Sequence, residues 1–171
     1  MCSARISILG VGSPLGCDAI AWHVIEQLKI SDCVPGYEVN CCIEIRSCDR
    51  PGVKLLNEMK DDDFVILIDA MQANLQTGMI RKFSEQEFEN SFHLCSSHGF
   101  GIESALTLGR SLNILPGRII IYGIEIGDQL DANKLRQDSV NHKLELDWLI
   151  DDISNEINCF LSANNLLTTS H

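Results

Sequence analysis

Asp18, Asp69 and His98 are the residues whose type and placement suit them to act together. Asp18 follows a glycine-rich turn and opens a run of helical period. Asp69 closes the apolar run Phe64 to Ala70 (FVILIDA), and His98 stands just before Gly99, where another helical run begins. Two carboxylates and an imidazole make an oxygen, oxygen, nitrogen set that suits a borderline divalent metal with open coordination positions, nickel and zinc among the candidates. The spacings of 51 and 29 residues carry no local signature, so convergence must come from the fold. Each residue also has a plainer role. Asp18 fits a cap or dipole partner at a helix start, and His98 fits a helix-start histidine satisfied by backbone. A carboxylate ending an apolar strand is costly if buried alone, so Asp69 must be exposed at the sheet edge or partnered there. His23, on the exposed face of the first helix, and His93 are further candidates.

The elements that must position these residues alternate between strand and helix periods. Ile6 to Gly12 (ISILGVG) is a buried strand entering a tight turn. Asp18 to Ile30 follows as a helix with Ile20, Ala21, Val24, Ile25 and Leu28 on one face. Tyr37 to Ile45 is a second strand, Asp49 to Lys60 a second helix with Pro51 near its start. Asp61, Asp62 and Asp63 form a solvated lead-in to the strand Phe64 to Ala70. Gln72 to Gly78 is a turn and Met79 to Phe83 a short antiparallel strand, too close for a helical crossover. Ser84 to Cys95 reads as irregular. Gly99 to Asn113 is a helix stopped by Pro116, Arg118 to Ile126 a strand, Gly127 to Asp138 a polar loop, and Ser139 to Ser162 a final helix. This alternation predicts a single α/β domain over residues 1–171: a doubly wound, mostly parallel twisted sheet with helices on both faces. Ligands of such sheets bind beyond the carboxyl ends of the strands, near the switch in strand order, and that edge would gather Asp18, Asp69 and His98.

Composition narrows the function classes. The 171 residues are 45% apolar and 22% charged, with a mean hydropathy of +0.05, enough to bury a sizeable core. With 24 acidic against 13 basic residues and a net charge of −11, the chain lacks the basic face that nucleic acids and anionic membranes require. The apolar runs fall far short of the roughly 20 residues that span a bilayer. The start has no signal-peptide pattern, so a cytoplasmic protein is expected. Eight cysteines without a single C-x-x-C read mostly as small buried hydrophobes in a reducing compartment.

Two other constellations compete. Gly10, Gly12 and Gly16 resemble a dinucleotide loop, with Glu44 at the end of the second strand placed to hold a ribose. The spacing is one residue longer than the fingerprint, however, and Pro14 removes an amide. The plainer reading is a tight strand-to-helix connection needing positive φ. Cys17, beside a helix start that lowers thiol pKa, could act as a nucleophile with His98 as base. Ser96 and Ser97 adjoin His98 without a G-x-S-x-G elbow.

Taken in order, ILGVGSPLGCDAIAWHVIEQL, VILIDAMQ and SSHGFGIESALTLGRSLNILPGRIIIYGIEI resemble the [NiFe]-hydrogenase maturation proteases. The likeness runs over most of residues 5–126. It implies a cytoplasmic endopeptidase that removes a C-terminal extension from the hydrogenase large-subunit precursor after nickel insertion. By motif position, its metal contacts fall on Asp18, Asp69 and His98, and the nickel is carried by the precursor. Where the family usually reads G-x-G-N-x-L-x-x-D-[DE]-G, Ser13 replaces Asn, the loop is one residue shorter, Cys17 replaces the first acid and Ala19 the glycine. The G-S-P and S-H-G forms are most similar to the branch serving bidirectional, NAD-coupled hydrogenases. The competing expectations are a nucleotide-binding α/β module using Gly10, Gly12 and Glu44, and a metal escort protein using the same triad without cleavage.

Overall fold

Every residue of Phe64–Met71 (FVILIDAM) is buried, as expected of a central parallel strand covered on both faces. In the computed structural model, which describes residues 4–31, 41–60, 62–91, 100–127 and 139–164, this segment is β3. Around it lie β1 (Ala4–Gly12), β2 (Cys41–Asp49), β4 (Ile80–Ser84) and β5 (Arg118–Glu125). The strand order is β2-β1-β3-β5-β4, with β1, β2, β3 and β5 parallel and β4 antiparallel to β5. Helices α1 (Ile20–Ile30), α2 (Leu55–Glu58), α3 (Glu85–Ser91), α4 (Phe100–Leu112) and α5 (Ser139–Ala163) complete the described elements. The expected doubly wound α/β architecture is therefore present, including the short antiparallel strand.

Alternation along the strands divides the core in two. Ile6, Ile8, Phe64, Ile66, Ile68 and Tyr122 face Ala21, Val24 and Ile25 of α1 and Leu149, Ile153 and Ile157 of α5. On the opposite face Leu9, Val11, Val65, Leu67 and Ile121 meet Leu55 of α2, Met59 just after it, and Ile102, Ala105 and Leu106 of α4. The side-chain period of two fixes the register, because a slip by one residue would exchange these faces. Gly10 marks the closest approach of helix to sheet: a Cβ there would lie 2.5 Å from Ile25 Cγ1 and 2.9 Å from the Ala21 carbonyl oxygen. Among the described residues, no helix is long and apolar enough to cross a membrane.

Several expectations change. β2 continues to Asp49, and the expected helix from Asp49 to Lys60 shrinks to a 3-10 turn over Gly52–Lys54 and the single turn of α2. Arg50 and Gly52 have φ of 41° and 52°, left-handed conformations that flank Pro51 and prevent a helix from starting earlier. Ser84 to Cys95, expected to be irregular, contains α3. A capping box opens it: Ser84 N–H donates to Glu87 Oε2 at 2.8 Å, and Glu87 N–H donates to Ser84 Oγ at 3.3 Å. The acidic lead-in is not uniformly solvated. Asp63 Oδ2 accepts the Arg5 amide at 2.8 Å, while Asp62 is buried. Burial pushes the Asp62 carboxyl above its ordinary range, opposed by the Ser7 hydroxyl and the Arg5 guanidinium. Residues 32–40, 61, 92–99 and 128–138, which carry the start of the expected second strand, Asp61, the segment around His98 and the polar loop, lie outside the described residues.

Candidate active site

β1 leads through α1 to β2 on one side of itself, and β2 then crosses to β3 on the other. The strand order therefore reverses between β1 and β3, and the crevice beyond their carboxyl ends is the expected ligand site. Asp69 lies at that edge. It pairs in register with Gly123 of β5, on the face that carries Val65, Leu67 and Met71 toward α2 and α4. It is only 9% exposed, and its Oδ1 accepts the Ala70 amide at 2.8 Å. The expectation that a carboxylate ending this strand must be exposed or partnered is met by a partner.

Asp18 belongs to the 3-10 turn Gly16–Ala19, which begins with Gly16 at φ 70° and leads into α1. That turn packs against β3, so the backbone carrying Asp18 reaches the edge where Asp69 sits. α4 starts at the same edge, with Gly101 3.6 Å from the Gly52 Cα when measured from an ideal Cβ. His98, two residues before α4, lies outside the described residues, as do His93, Ser96 and Ser97. The structure thus brings together Asp69 and the turn of Asp18, and says nothing of His98. Among the described residues, no three His, Cys, Asp or Glu side chains are gathered closely enough to hold a metal ion.

The competing constellations fare differently. Gly10 makes room for α1 rather than for a phosphate. Glu44 does not end its strand: it is in register with Ser7, five residues before Asp49, and at about 3.3 Å per residue that is roughly 16 Å short of the carboxyl edge. It pairs instead with Arg46 at 3.4 Å. A dinucleotide site across this edge therefore loses its ribose-binding acid. The Cys48 thiol is buried and pushed up to about 11 by that burial and by Glu58, against the pull of Arg46. Such a thiol is inert as a nucleophile. Cys41 and Cys42 are half-buried and Cys159 is exposed, so the cysteines are not uniformly core residues.

Glu125 is the residue at this edge that sequence reasoning did not single out. It ends β5 and is 1% exposed. Its Oε2 accepts the amides of Ala73 at 2.7 Å and Leu75 at 3.3 Å, and its Oε1 accepts that of Gly127 at 2.9 Å. The Gln72 side-chain amide adds a 2.8 Å bond to the Gly127 carbonyl. This clamp shapes the loop that leaves β3 two residues after Asp69. A signal existed: Glu125 interrupts the apolar run IIIYGIEI, where a charge is expected only with dedicated partners.

Fold and edge together define a doubly wound α/β protein with a carboxylate site at its topological switch point. The family model described as hydrogenase maturation protease matches residues 51–159, a span that contains Asp69 and His98 but not Asp18. The chain belongs to the hydrogenase maturation protease family, and it is a peptidase. Solved structures share the fold. The hydrogenase maturating endopeptidase HybD from E. coli is similar at 23% identity with a TM-score of 0.57, over 79% of this chain and 94% of that one. A second endopeptidase structure from Escherichia coli gives 24% identity and 0.57, over 80% and 94%. The [NiFe] hydrogenase maturation protease HycI from Thermococcus kodakarensis gives 17% and 0.54, over 91% and 93%. The sequence has no match among curated proteins.

Proposed function

We propose that this protein removes a C-terminal extension from the large-subunit precursor of a [NiFe]-hydrogenase after nickel insertion, and that Asp18, Asp69 and His98 contact the nickel carried by that precursor. The observation that best supports the reading is a buried carboxylate, Asp69, at the switch-point edge of a protease-family fold. Family membership supplies the reaction class, peptide hydrolysis. That reaction needs a polarised carbonyl, an aligned water and an acceptor for its proton. Nickel in the substrate would supply Lewis-acid polarisation of the scissile carbonyl. Asp69 and Asp18 hold negative charge against the metal, a carboxylate at this edge takes the proton from the attacking water, and the His98 imidazole provides the nitrogen contact. The specific client is a hydrogenase of the bidirectional, NAD-coupled kind, and the reaction belongs to the cytoplasm.

Incubation with purified large-subunit precursor, followed by mass spectrometry, tests this reading. Nickel-loaded precursor should be trimmed once, near its C-terminus. Equal trimming of nickel-free precursor would remove the metal from the recognition step. Normal trimming by an Asp69→Asn, His98→Ala double variant would remove the triad.

A further inference from the structure

Beside the acidic edge lies a recess of different chemistry, on the α1 and α5 face of the sheet. It holds a cavity of about 100 Å³, and its walls include Ile20, Val24, Ile80, Ile124, Leu146 and Leu149. Among the described residues lining it, His23 and Glu145 are the only ones whose side chains carry polar atoms. A cavity of that size is room for one side chain, below the range of about 300–1,000 Å³ usual for whole ligand pockets. It opens at the same carboxyl edge as the candidate active site, on the face of the sheet opposite the Asp69 side chain. Ile20 comes two residues after Asp18, and Ile124 pairs in register with Ala70, the residue after Asp69. Glycine at position 78, whose amide donates to the Glu125 carbonyl at 2.8 Å, joins the recess to the loop shaped by the Glu125 clamp.

A second observation points the same way. Three loops at the carboxyl edge each leave a large apolar side chain in water: Leu15 after β1, 73% exposed; Val53 after β2, 51%; and Met79 before β4, 38%. An isolated exposed apolar residue means little, but apolar groups on separate loops around one edge are what a polypeptide crossing that edge would meet.

We infer that this recess is a side-chain subsite of the peptidase, accepting an apolar side chain of the substrate polypeptide next to the scissile bond, with Leu15, Val53 and Met79 bearing on the flanking substrate chain. The inference rests on the peptidase reading and adds a specificity determinant to it. An extended polypeptide crossing this edge sends alternate side chains to opposite sides, so one residue near the carboxylates can turn toward the recess on the other face of the sheet. Burial of one apolar side chain there fixes the register of the chain, and so decides which peptide bond meets the carboxylates.

The test measures trimming of the precursor by wild-type protein and by two variants, His23→Trp and Ile80→Trp. The first replaces an exposed helix residue at the mouth, and the second narrows the recess from an edge strand. Each residue flanking the mapped cleavage site in the precursor is also changed in turn to Ala and to Asp. Wild type should lose at least about tenfold in kcat/KM when one particular apolar residue becomes Asp. The Trp variants should raise KM for the natural precursor with little change in kcat, and should recover when that same residue is reduced to Ala. The wild-type substrate series stands even if a Trp variant fails to fold. Cleavage by wild type indifferent to every flanking side chain would overturn the subsite, as would Trp variants with unchanged KM. Concentration-dependent dimerisation abolished by Ile80→Trp, with trimming unaffected, would assign the recess to a second copy of the chain instead. Absence of trimming by wild type would count against the peptidase reading, and is thereby distinct from failure of the subsite.

Discussion

Asp69 and Glu125 are buried carboxylates near the carboxyl ends of neighbouring strands, Asp69 facing Gly123 in register and Glu125 facing Met71. Glu125 commits both oxygens to backbone amides of the loop after β3 and of the segment after β5, which makes it a positioning residue for the edge rather than a reacting group. Glu125→Gln keeps the size but turns an NH2 group toward amide donors. Leaving buried donors unpaired costs about 1–3 kcal/mol each, so urea titration should show a loss of about 2–4 kcal/mol. Trimming should fall with it, because the loop next to Asp69 loses its clamp. An unchanged unfolding midpoint would mean that the loop holds its shape without the carboxylate.

At the scale of elements, α5 is fastened to the sheet by a polar clasp laid over an apolar stripe. Tyr122 on β5 donates from its hydroxyl to Asp152 Oδ2 at 2.6 Å, and Lys82 on β4 donates to the same oxygen at 2.8 Å and to Glu156. Arg118 pairs with Glu156 as well. Burial acts to raise the Asp152 carboxyl, but the Lys82 and Tyr122 hydrogen bonds hold it below its usual range. A depressed carboxylate contributes stability above its unfolded pKa and loses it as pH falls through the folded one. The Lys82 ammonium, raised by the same partners against its burial, contributes below its unfolded pKa and loses that contribution as pH rises through the folded one. The clasp is thus intact across the neutral range and fails at both ends. Asp152→Ala should lower stability at pH 7 by about 1–3 kcal/mol, since it leaves the Tyr122 hydroxyl buried and unpaired. The difference from wild type should narrow as pH falls through the carboxylate range. Chemical denaturation at pH 3, 5 and 7 measures it.

Elements with strong period were legible in the sequence: the all-buried run of β3, the α1 stripe, the stop at Pro116 and the short β4. What escaped was set by few residues acting locally or by tertiary contacts. The seven-residue α3 depends on a Ser84 to Glu87 capping box too short to show a hydrophobic period. The end of β2 depends on left-handed Arg50 and Gly52, which the periodicity of its apolar residues does not reveal. The edge position of Asp69 is legible because a charge ends an apolar strand, and that of Asp18 because it follows the glycine turn. Glu125 carries the same kind of signal, a charge closing an apolar strand. Glu44 falls short of the edge because β2 runs four residues beyond the Ile45 that its apolar pattern suggests.

The whole molecule gathers Asp69, Glu125 and the turn of Asp18 at one edge of the sheet and carries a net charge of −11. A chain so acidic is a poor non-specific binder of other acidic surfaces, so recognition of a client must come from defined contacts, for which the proposed candidates are the apolar recess and the carboxylates of the edge. The doubly wound fold explains why residues 51 positions apart in sequence can meet: the order reverses between β1 and β3, and both carboxyl ends open on one crevice. The central claim is that Asp69, at this crevice, does the work of cleavage. The most direct measurement is the rate at which nickel-loaded large-subunit precursor is trimmed by Asp69→Asn, in a preparation whose unfolding midpoint matches wild type. A rate at least about 100-fold below wild type is expected if Asp69 holds the role proposed for it. A rate equal to wild type would contradict the account.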